Sequence, residues 1–216
     1  TMSATTTLEE RVTALERAHH KCPKDIGVDE SMRRARSAVE SLGLYSSRWA
    51  WVPEPYYTWP LERRAALLKV PSTAHLCKSL LLENKKVTDE TKDNFWTNPR
   101  FVMVILQYEA ELSTELLTKS IRKLRPVEDR LDASSFDWRV AEPEDNDRIT
   151  GYKFNSVTPL GLNEEVPIVL SSAVSDLGYF WMGGGHVHLK LGLSASEFAT
   201  KVKSVKVMEA SVPRTT

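Results

Sequence analysis

The spacing of apolar residues divides the chain into a helical N-terminal part and a mixed remainder. In the N-terminal part, apolar residues recur three or four positions apart, which is the spacing of one helix face. Leu8, Val12 and Leu15 follow the start of the segment Thr7-Leu8-Glu9-Glu10, which has the residues of a capping box and predicts a short amphipathic helix. Two further helices are predicted at residues 31–42 and 60–69.

Continuous apolar runs replace this spacing further along the chain. Residues 76–82 and 101–108 are rich in Leu, Val and Ile and have the length of strands buried on both faces. Residues 49–60 cannot form a regular helix, because Pro53 and Pro55 each remove a backbone donor. The predictions for the rest are a polar loop at 84–98, a helix at 113–124, no clear pattern at 126–147, strands at 168–170, 179–182 and 186–191, a short helix capped by Ser194, and an edge strand within 201–208.

Length and composition set the number of domains. A chain of 216 residues, of which 41% are hydrophobic, holds one core with modest extensions, since single cores fill at roughly 100 to 200 residues. After the third predicted helix, the pattern changes to strands mixed with helices. We predict an N-terminal extension over residues 1–27 with the short helix, a core domain over 28–200 and a C-terminal tail over 201–216.

Charge and cysteine content narrow the function classes. Lys plus Arg and Asp plus Glu both total 29, so no net field draws the molecule to a polyanion or an anionic membrane. Contact with nucleic acid must then be local, at basic clusters such as residues 119–125. The chain has two cysteines and no apolar run near the roughly 18 residues of a membrane span. These features favour a cytoplasmic protein without membrane contact.

One lysine stands out in the first predicted strand. On that strand Leu76, Lys78, Leu80 and Leu82 would share one face, whereas Cys77 would lie on the other. Burial of an ammonium is costly unless it is paired or reaches a cavity. Lys78 is therefore predicted to point into a pocket, the alternative being a lysine that reaches solvent from the strand end. Cys77 is expected to be a small buried thiol and not a nucleophile.

Two glycine-containing segments are candidates for backbone contact with a ligand. Residues 151–161 (GYKFNSVTPLG) predict a shaped loop whose successive amides can bind a carbonyl or phosphate oxygen. The glycine triplet 183–185 permits positive φ and close approach of the backbone to a ligand. His186 and His188 would face one side of a strand, but no third ligand is evident nearby, so a zinc site is not favoured.

In their order and spacing, these segments resemble the YbaK/prolyl-tRNA-synthetase-associated domain family over about residues 31–198, with the eukaryotic free-standing branch looking closest. The matching pieces are residues 49–53 (WAWVP), 56–62 (YYTWPLE), 70–80 (VPSTAHLCKSL), 150–161, 166–170 (VPIVL) and 179–191. The resemblance implies a compact α/β domain around a mixed, strongly bent, barrel-like β-sheet with surrounding helices. It also implies hydrolysis of the ester that joins a wrong amino acid to the acceptor end of tRNA, with no cofactor and no metal.

The resemblance further implies roles for individual residues. Lys78 matches the family's functional lysine, which contacts the tRNA terminus or the substrate. The family's GxxxP loop, whose backbone amides bind the aminoacyl carbonyl, matches Asn155, Ser156, Val157, Thr158 and Pro159. Asn155 replaces the motif glycine, and Asn is the non-glycine residue best able to adopt left-handed angles. The contacts of the amino acid or its amine are expected at Gly184, Gly185 and His186, with a structural role for His186 left open.

The leading hypothesis is a trans-editing deacylase that removes a small wrong amino acid from tRNA-Pro or a related tRNA. The resemblance implies backbone stabilisation of the oxyanion, with the terminal ribose hydroxyl helping to orient water. The alternative is a catalytically weak adaptor that binds tRNA or joins a synthetase or multi-synthetase complex through the Leu8-Val12-Leu15 helix. Asn155 favours the adaptor, whereas Lys78 and the glycine triplet favour catalysis. An unrelated small-molecule hydrolase is a third hypothesis.

Overall fold

The computed structural model describes residues 7–88 and 95–214. The helices among them are α1 (Leu8–His20), α2 (Glu30–Ser41), α3 (Leu61–Leu68), α4 (Thr114–Arg122), α5 (Pro143–Thr150), α6 (Ser172–Ser175) and α7 (Ala195–Lys201). The strands are β1 (Arg48–Trp51), β2 (Cys77–Asn84), β3 (Phe101–Gln107), β4 (Ala110–Leu112), β5 (Trp138–Val140), β6 (Ile168–Ser171), β7 (Tyr179–Gly183), β8 (Leu189–Ser194), β9 (Val205–Met208) and β10 (Ser211–Pro213). Short 3₁₀ helices occupy Glu54–Thr58, Thr73–His75, Val127–Asp129 and Ala133–Ser135.

Strand β3 lies at the centre of a five-stranded sheet of order β5-β2-β3-β6-β9. It pairs antiparallel with β2 and parallel with β6. A second, antiparallel sheet has the order β1-β8-β7, and β4 pairs with β10 in a third. A bridge between Leu76 and Trp181 brings the start of β2 against β7, so the two larger sheets meet there. The architecture is the predicted mixed α/β fold, although its described strands divide into three sheets.

The side chains of β3 alternate between the two faces of the five-stranded sheet and contribute to a core on each face. Met103 and Ile105 point to one side, where they join a cluster that includes Phe180 of β7. Val104 and Leu106 point to the other side, under α4. These four β3 side chains have no exposed surface, as expected for a strand buried on both faces. The central strand thus fixes the position of its neighbour β2.

The N-terminal helix rests on the body mainly through polar contacts. Glu16 of α1 binds the guanidinium of Arg33 at 2.8 Å. His20, at the end of α1, is buried, and its carbonyl accepts a hydrogen bond from the Trp51 indole at 2.9 Å. The apolar side chains of the helix point away from these contacts. Their exposed fractions are 73% for Leu8, 46% for Val12 and 71% for Leu15.

Most elements lie close to their predicted positions. Both reciprocal bonds of the capping box join Thr7 and Glu10, and Gly43 follows α2 with a φ of +61°. Ser113 caps α4, and the predicted apolar runs form β2, β3, β6 and β7. Strand β9 lies at an edge of its sheet, as the alternation of Lys and Val predicts. The predicted loop 84–98 contains residues 89–94, which lie outside the described residues. Within the described part of the chain, no helix has the length and apolar sequence needed to cross a bilayer.

The structure corrects one prediction and places elements in the stretch that had no clear pattern. Strand β8 begins at Leu189 and not at His186, because residues 186–189 form a turn in which the Leu189 amide donates to the His186 carbonyl at 2.9 Å. His186 and His188 therefore do not share a strand face, although their rings lie 5.5 Å apart. The unpatterned stretch 126–147 contains β5 and most of α5, which are too short for a periodic signal.

Candidate active site

A cavity of about 760 Å³ opens beside the middle of β2. It exists because two elements cover the two ends of this strand edge and leave a gap between them. At one end Leu76 bridges to Trp181 of β7. At the other end β5 pairs with β2 from Leu82 onward, and the Ala141 amide donates to the Leu81 carbonyl at 2.9 Å. The uncovered residues between these contacts line the cavity.

Ser79 presents its polar groups to this gap. Backbone groups on an antiparallel strand alternate in direction, so Ser79 points its amide and carbonyl to the same edge as Leu81. The buried Ser79 hydroxyl oxygen also has no hydrogen-bond partner among the described residues. Buried polar groups are nearly always paired, and an unpaired one at a cavity wall is a candidate for contact with a ligand. Residue periodicity gave no sign of this role.

Lys78 lines the same cavity and is half-buried. Its amine lies 5.9 Å from the centre of the Tyr108 ring. Burial lowers the pKa of Lys78, the Arg214 charge lowers it further, and Glu111 opposes both. An amine with a lowered pKa in a cavity is a common feature of functional sites, although ion-pair networks can produce it too. The position agrees with the expected opening of this lysine toward a pocket.

The loop that follows α5 forms the opposite wall. Asn155 adopts left-handed angles with a φ of +63°, as expected for an Asn at the position of a motif glycine. The Ser156 amide donates to the Lys153 carbonyl at 3.0 Å, and the Ser156 carbonyl accepts from Gly185 at 3.1 Å. The Val157 amide makes no hydrogen bond to another described residue. Val157 lines the cavity, so its amide is a donor available to a carbonyl oxygen there.

The remaining predicted loop residues lie behind this wall. Ser156 is buried, and its hydroxyl donates to the Lys153 carbonyl at 2.6 Å. Thr158 has no exposed surface, and its hydroxyl oxygen has no hydrogen-bond partner among the described residues. Pro159 is buried too. These three residues shape the loop, whereas Asn155 and Val157 face the cavity.

Only the first glycine of the triplet reaches the cavity. A Cβ on Gly183 would lie 2.3 Å from the Val157 carbonyl oxygen, so this position lets the loop pack on β7. A Cβ on Gly185 would lie 2.9 Å from the Ser31 carbonyl oxygen, which places this glycine against α2. Gly184, Gly185 and His186 are absent from the lining of the cavity within the described residues. The substrate contacts expected at these three residues stay a prediction.

His186 lies beside an aromatic residue of β1. Its ring lies 5.7 Å from the Trp51 ring. Burial lowers the pKa of His186, and Asp29 opposes this shift. These contacts fit the structural role that the sequence left open.

Aromatic residues from two other segments complete the wall. Tyr57, from the first 3₁₀ helix, and Tyr108, which follows β3, both line the cavity. Arg64 of α3 lies 5.6 Å from the centre of each ring. The Tyr57 hydroxyl donates to the Asn155 carbonyl at 2.6 Å. The sequence showed an aromatic segment here but not its place beside the loop.

Two other chemistries have little support. Cys77 is buried on the core face of β2, and burial raises the pKa of its thiol, so it is poorly suited to act as a nucleophile. Among residues 7–88 and 95–214, no three His, Cys, Asp or Glu side chains cluster as metal ligands. The cavity is lined by an amine and by residues with unpaired main-chain groups, which suits the binding and polarisation of a carbonyl.

The fold and the cavity define an α/β domain whose candidate chemistry rests on main-chain groups and one lysine. The sequence profile of the aminoacyl-tRNA editing domain family matches residues 54–200, and the chain belongs to this family. No curated protein matches the sequence.

Several solved structures share the fold, and three of them illustrate the likeness. A scaffold protein from computational epitope grafting is 14% identical with a TM-score of 0.63, and the match covers 87% of this chain and 100% of that one. A proposed trans-editing enzyme for prolyl tRNA synthetase is 17% identical with a TM-score of 0.63, over 86% of this chain and 99% of that one. The hypothetical protein APE2540 is 20% identical with a TM-score of 0.60, over 83% and 99% of the two chains.

Proposed function

We propose that this protein is a trans-editing deacylase that hydrolyses the ester between tRNA and a wrong amino acid. The observation that carries the proposal is the uncovered edge of β2. There Lys78 and Ser79 line one cavity together with Asn155 and Val157. Membership of the editing domain family supports aminoacyl-tRNA as the ligand. A volume of about 760 Å³ lies within the usual range for small-molecule sites.

In this proposal the protein positions and polarises the ester. The carbonyl oxygen accepts hydrogen bonds from main-chain amides, with Val157 and Ser79 as the candidates. Lys78 binds the terminal nucleotide through its amine. Water, oriented by the free hydroxyl of the terminal ribose, attacks the carbonyl carbon and gives a tetrahedral oxyanion that the amides stabilise. The bond to the ribose oxygen then breaks, that oxygen takes up a proton, and the free amino acid and tRNA leave.

The rim of the cavity favours an aminoacyl group with a free amine. Glu142 and Asp147 line it from the start and the middle of α5. Their carboxylates suit the positive α-amine of an aminoacyl ester. We propose a small wrong amino acid on tRNA-Pro or a related tRNA as the substrate, supported by the fold shared with a proposed editing enzyme for prolyl tRNA synthetase. The setting would be the cytoplasm, where tRNA is charged.

The test is deacylation of alanyl-, seryl-, threonyl- and cysteinyl-tRNA by the wild type and by Lys78→Ala. We expect wild-type hydrolysis of at least one ester, and a kcat/KM lower by about 10- to 100-fold in the variant, because a positioned cation is lost. Lys206→Ala is the matched control. It removes a lysine of β9 whose amine lies 5.1 Å from the Trp96 ring, at a different cavity.

The outcomes separate the two parts of the proposal. A wild type that leaves every ester intact would refute the deacylase. Equal rates for the wild type and Lys78→Ala would remove only the role of Lys78.

A second candidate function is an adaptor in a synthetase complex. The observation that favours it is the exposure of Leu8, Val12 and Leu15 on one face of α1. Monomeric surfaces carry single exposed apolar residues, but an aligned set on a helix suits a partner helix or groove. The two functions are compatible, because α1 lies outside the residues that line the cavity.

A further inference from the structure

Lys190 of β8 is a buried lysine close to the cavity. Its exposed fraction is 5%, and it pairs with Gly183 of β7 in the strand register. The amine donates to the Val187 carbonyl at 3.2 Å and to the Tyr57 hydroxyl. Burial of an amine is costly, so a lysine in this position requires compensating partners. The tyrosine rings supply further compensation, since the amine lies 4.4 Å from the centre of the Tyr57 ring and 5.3 Å from that of Tyr56.

Tyr57 links this lysine to the cavity loop. Its hydroxyl oxygen accepts from Lys190, and its proton is donated to the Asn155 carbonyl at 2.6 Å. The three groups therefore form a chain from amine to hydroxyl to main-chain carbonyl. Its last member is the residue with left-handed angles at the start of the wall. Hydrogen bonds in such a chain polarise and strengthen one another.

The chain of hydrogen bonds holds the loop at the Asn155 carbonyl. A carbonyl held on one side sets the orientation of the peptide plane that follows it. The Ser156 carbonyl is held by the Gly185 amide at 3.1 Å, so two successive carbonyls are anchored to different elements. The next amide is that of Val157, a residue that lines the cavity, and it has no hydrogen-bond partner among the described residues. The Ser156 anchor sets the direction of this donor directly, because the two groups share a peptide plane, and the Asn155 anchor acts on it through the preceding plane.

We propose that Lys190 and Tyr57 are positioning residues that hold the Asn155 loop in the geometry needed for deacylation, and that a charged Lys190 holds it best. This inference rests on the proposed function. Neither side chain is assigned a step in the hydrolysis. Both act on the ester through the main chain of residues 155–157.

The charge of Lys190 responds to pH near neutrality. Burial, together with the Arg64 charge from α3, lowers the pKa of Lys190 to about 7. The other titratable groups around it are the hydroxyls of Tyr56, Tyr57 and Tyr108 and the Cys77 thiol, whose pKa values burial raises, and His186, whose pKa burial lowers. An ammonium is a stronger donor to the Tyr57 oxygen than a neutral amine. The anchor is therefore expected to be firmest below pH 7 and weaker above it.

The first experiment measures deacylation by Tyr57→Phe, which removes a single oxygen atom. We expect kcat to fall by about tenfold while KM stays within about twofold, because the ester is bound but less well aligned. Tyr179→Phe is the matched control. It also removes a hydroxyl that donates to a main-chain carbonyl, that of Ser46 at 3.1 Å, at the other end of β7.

The second experiment compares the wild type with Lys190→Met from pH 6 to pH 8.5. The ratio of their rates cancels the titration of the substrate, which both proteins share. We expect the wild-type rate to exceed the variant rate by about tenfold at pH 6 and by about threefold at pH 8.5, since Lys190 in the wild type loses its charge over this range. The control is Lys201→Met on α7, which removes an amine bonded to Glu197 at 3.1 Å. The wild-type rate divided by the rate of this variant should be near one at every pH.

A third measurement separates this inference from the proposed function. Hydrogen exchange of the amides in residues 152–161 should be faster in Tyr57→Phe than in the wild type and unchanged in Tyr179→Phe. Faster exchange in a protein without deacylase activity would support the anchor and refute the proposed function. Unchanged exchange together with unchanged kcat in Tyr57→Phe would overturn the inference. A rate ratio that does not vary with pH would overturn the role of the charge.

Discussion

Asn155 combines two properties that a glycine would not supply together. Its φ of +63° lies in the left-handed region, where most residues with a Cβ are strained. Asn tolerates these angles better than other non-glycine residues, so the loop keeps its turn without the motif glycine. An Asn also has fewer backbone conformations than Gly in the unfolded chain, which favours the ordered loop. The replacement therefore does not by itself argue against activity.

Substitution of Asn155 tests this interpretation. Asn155→Gly should keep the deacylation rate within about twofold, because Gly adopts the same angles. Asn155→Ala should destabilise the protein by about 1 kcal/mol and lower kcat by about fivefold, since Ala is strained at positive φ. The measurements are urea unfolding and single-turnover deacylation. Equal activity for Ala and Gly would show that the left-handed geometry is not required.

At the level of elements, the cavity beside β2 depends on which strands cover the edge of β2. The strand is predictable from its apolar run, but a run of this kind says nothing about edge neighbours. Strand β5 has three residues, and β7 contacts β2 through a bridge at Leu76. Each covers only one end, and the uncovered middle carries Lys78 and Ser79. A longer β5 would close the gap and remove the cavity.

The N-terminal helix offers a test at the level of an element. The double variant Leu8→Gln, Leu15→Gln should keep the wild-type deacylation rate. Its free energy of unfolding should stay within about 0.5 kcal/mol of the wild-type value, because both side chains are mostly exposed. Binding to purified prolyl-tRNA synthetase, measured by calorimetry, should weaken by about tenfold or more if α1 is an adaptor surface. Val127→Gln, which changes another exposed apolar residue, is the control. Unchanged binding in the double variant would exclude this face as the contact.

For the whole molecule, the buried Lys190 makes stability depend on pH. In the unfolded chain its pKa returns to about 10.4, whereas in the folded protein it is about 7. Between these values the unfolded state binds a proton that the folded state has released, so the free energy of unfolding rises with pH. Below pH 7 both states are charged, and the folded protein carries the full cost of the buried ammonium.

Unfolding in urea at pH 6.5 and pH 9 measures this effect. Between pH 6.5 and pH 9, the free energy of unfolding of the wild type should rise by about 2 kcal/mol more than that of Lys190→Met, which has no proton to release at this position. Lys201→Met should behave as the wild type does. An equal pH dependence in the wild type and Lys190→Met would show that the lysine titrates as in solution. The charged form thus stabilises the loop geometry while it costs global stability, a common balance at functional sites.

The sequence alone determined what depends on neighbours along the chain. Helix caps, apolar periodicity and turn residues predicted most elements, because these signals are local. Lys78 stood out because a charged residue within an apolar run is unusual whatever the fold of the protein. The loop around Asn155 could be placed by its glycine and proline residues and by resemblance to a family.

Only the tertiary structure decided which groups meet at the cavity. Tyr57 and Lys190 are 133 positions apart, and no periodicity relates them. Ser79 is a candidate because neighbouring strands fail to cover it. Gly184, Gly185 and His186 lie outside the cavity lining. Contacts of this kind depend on how strand edges and loops pack across the molecule. Packing is a property of the whole chain, whereas a sequence pattern reports only on the few residues around each position.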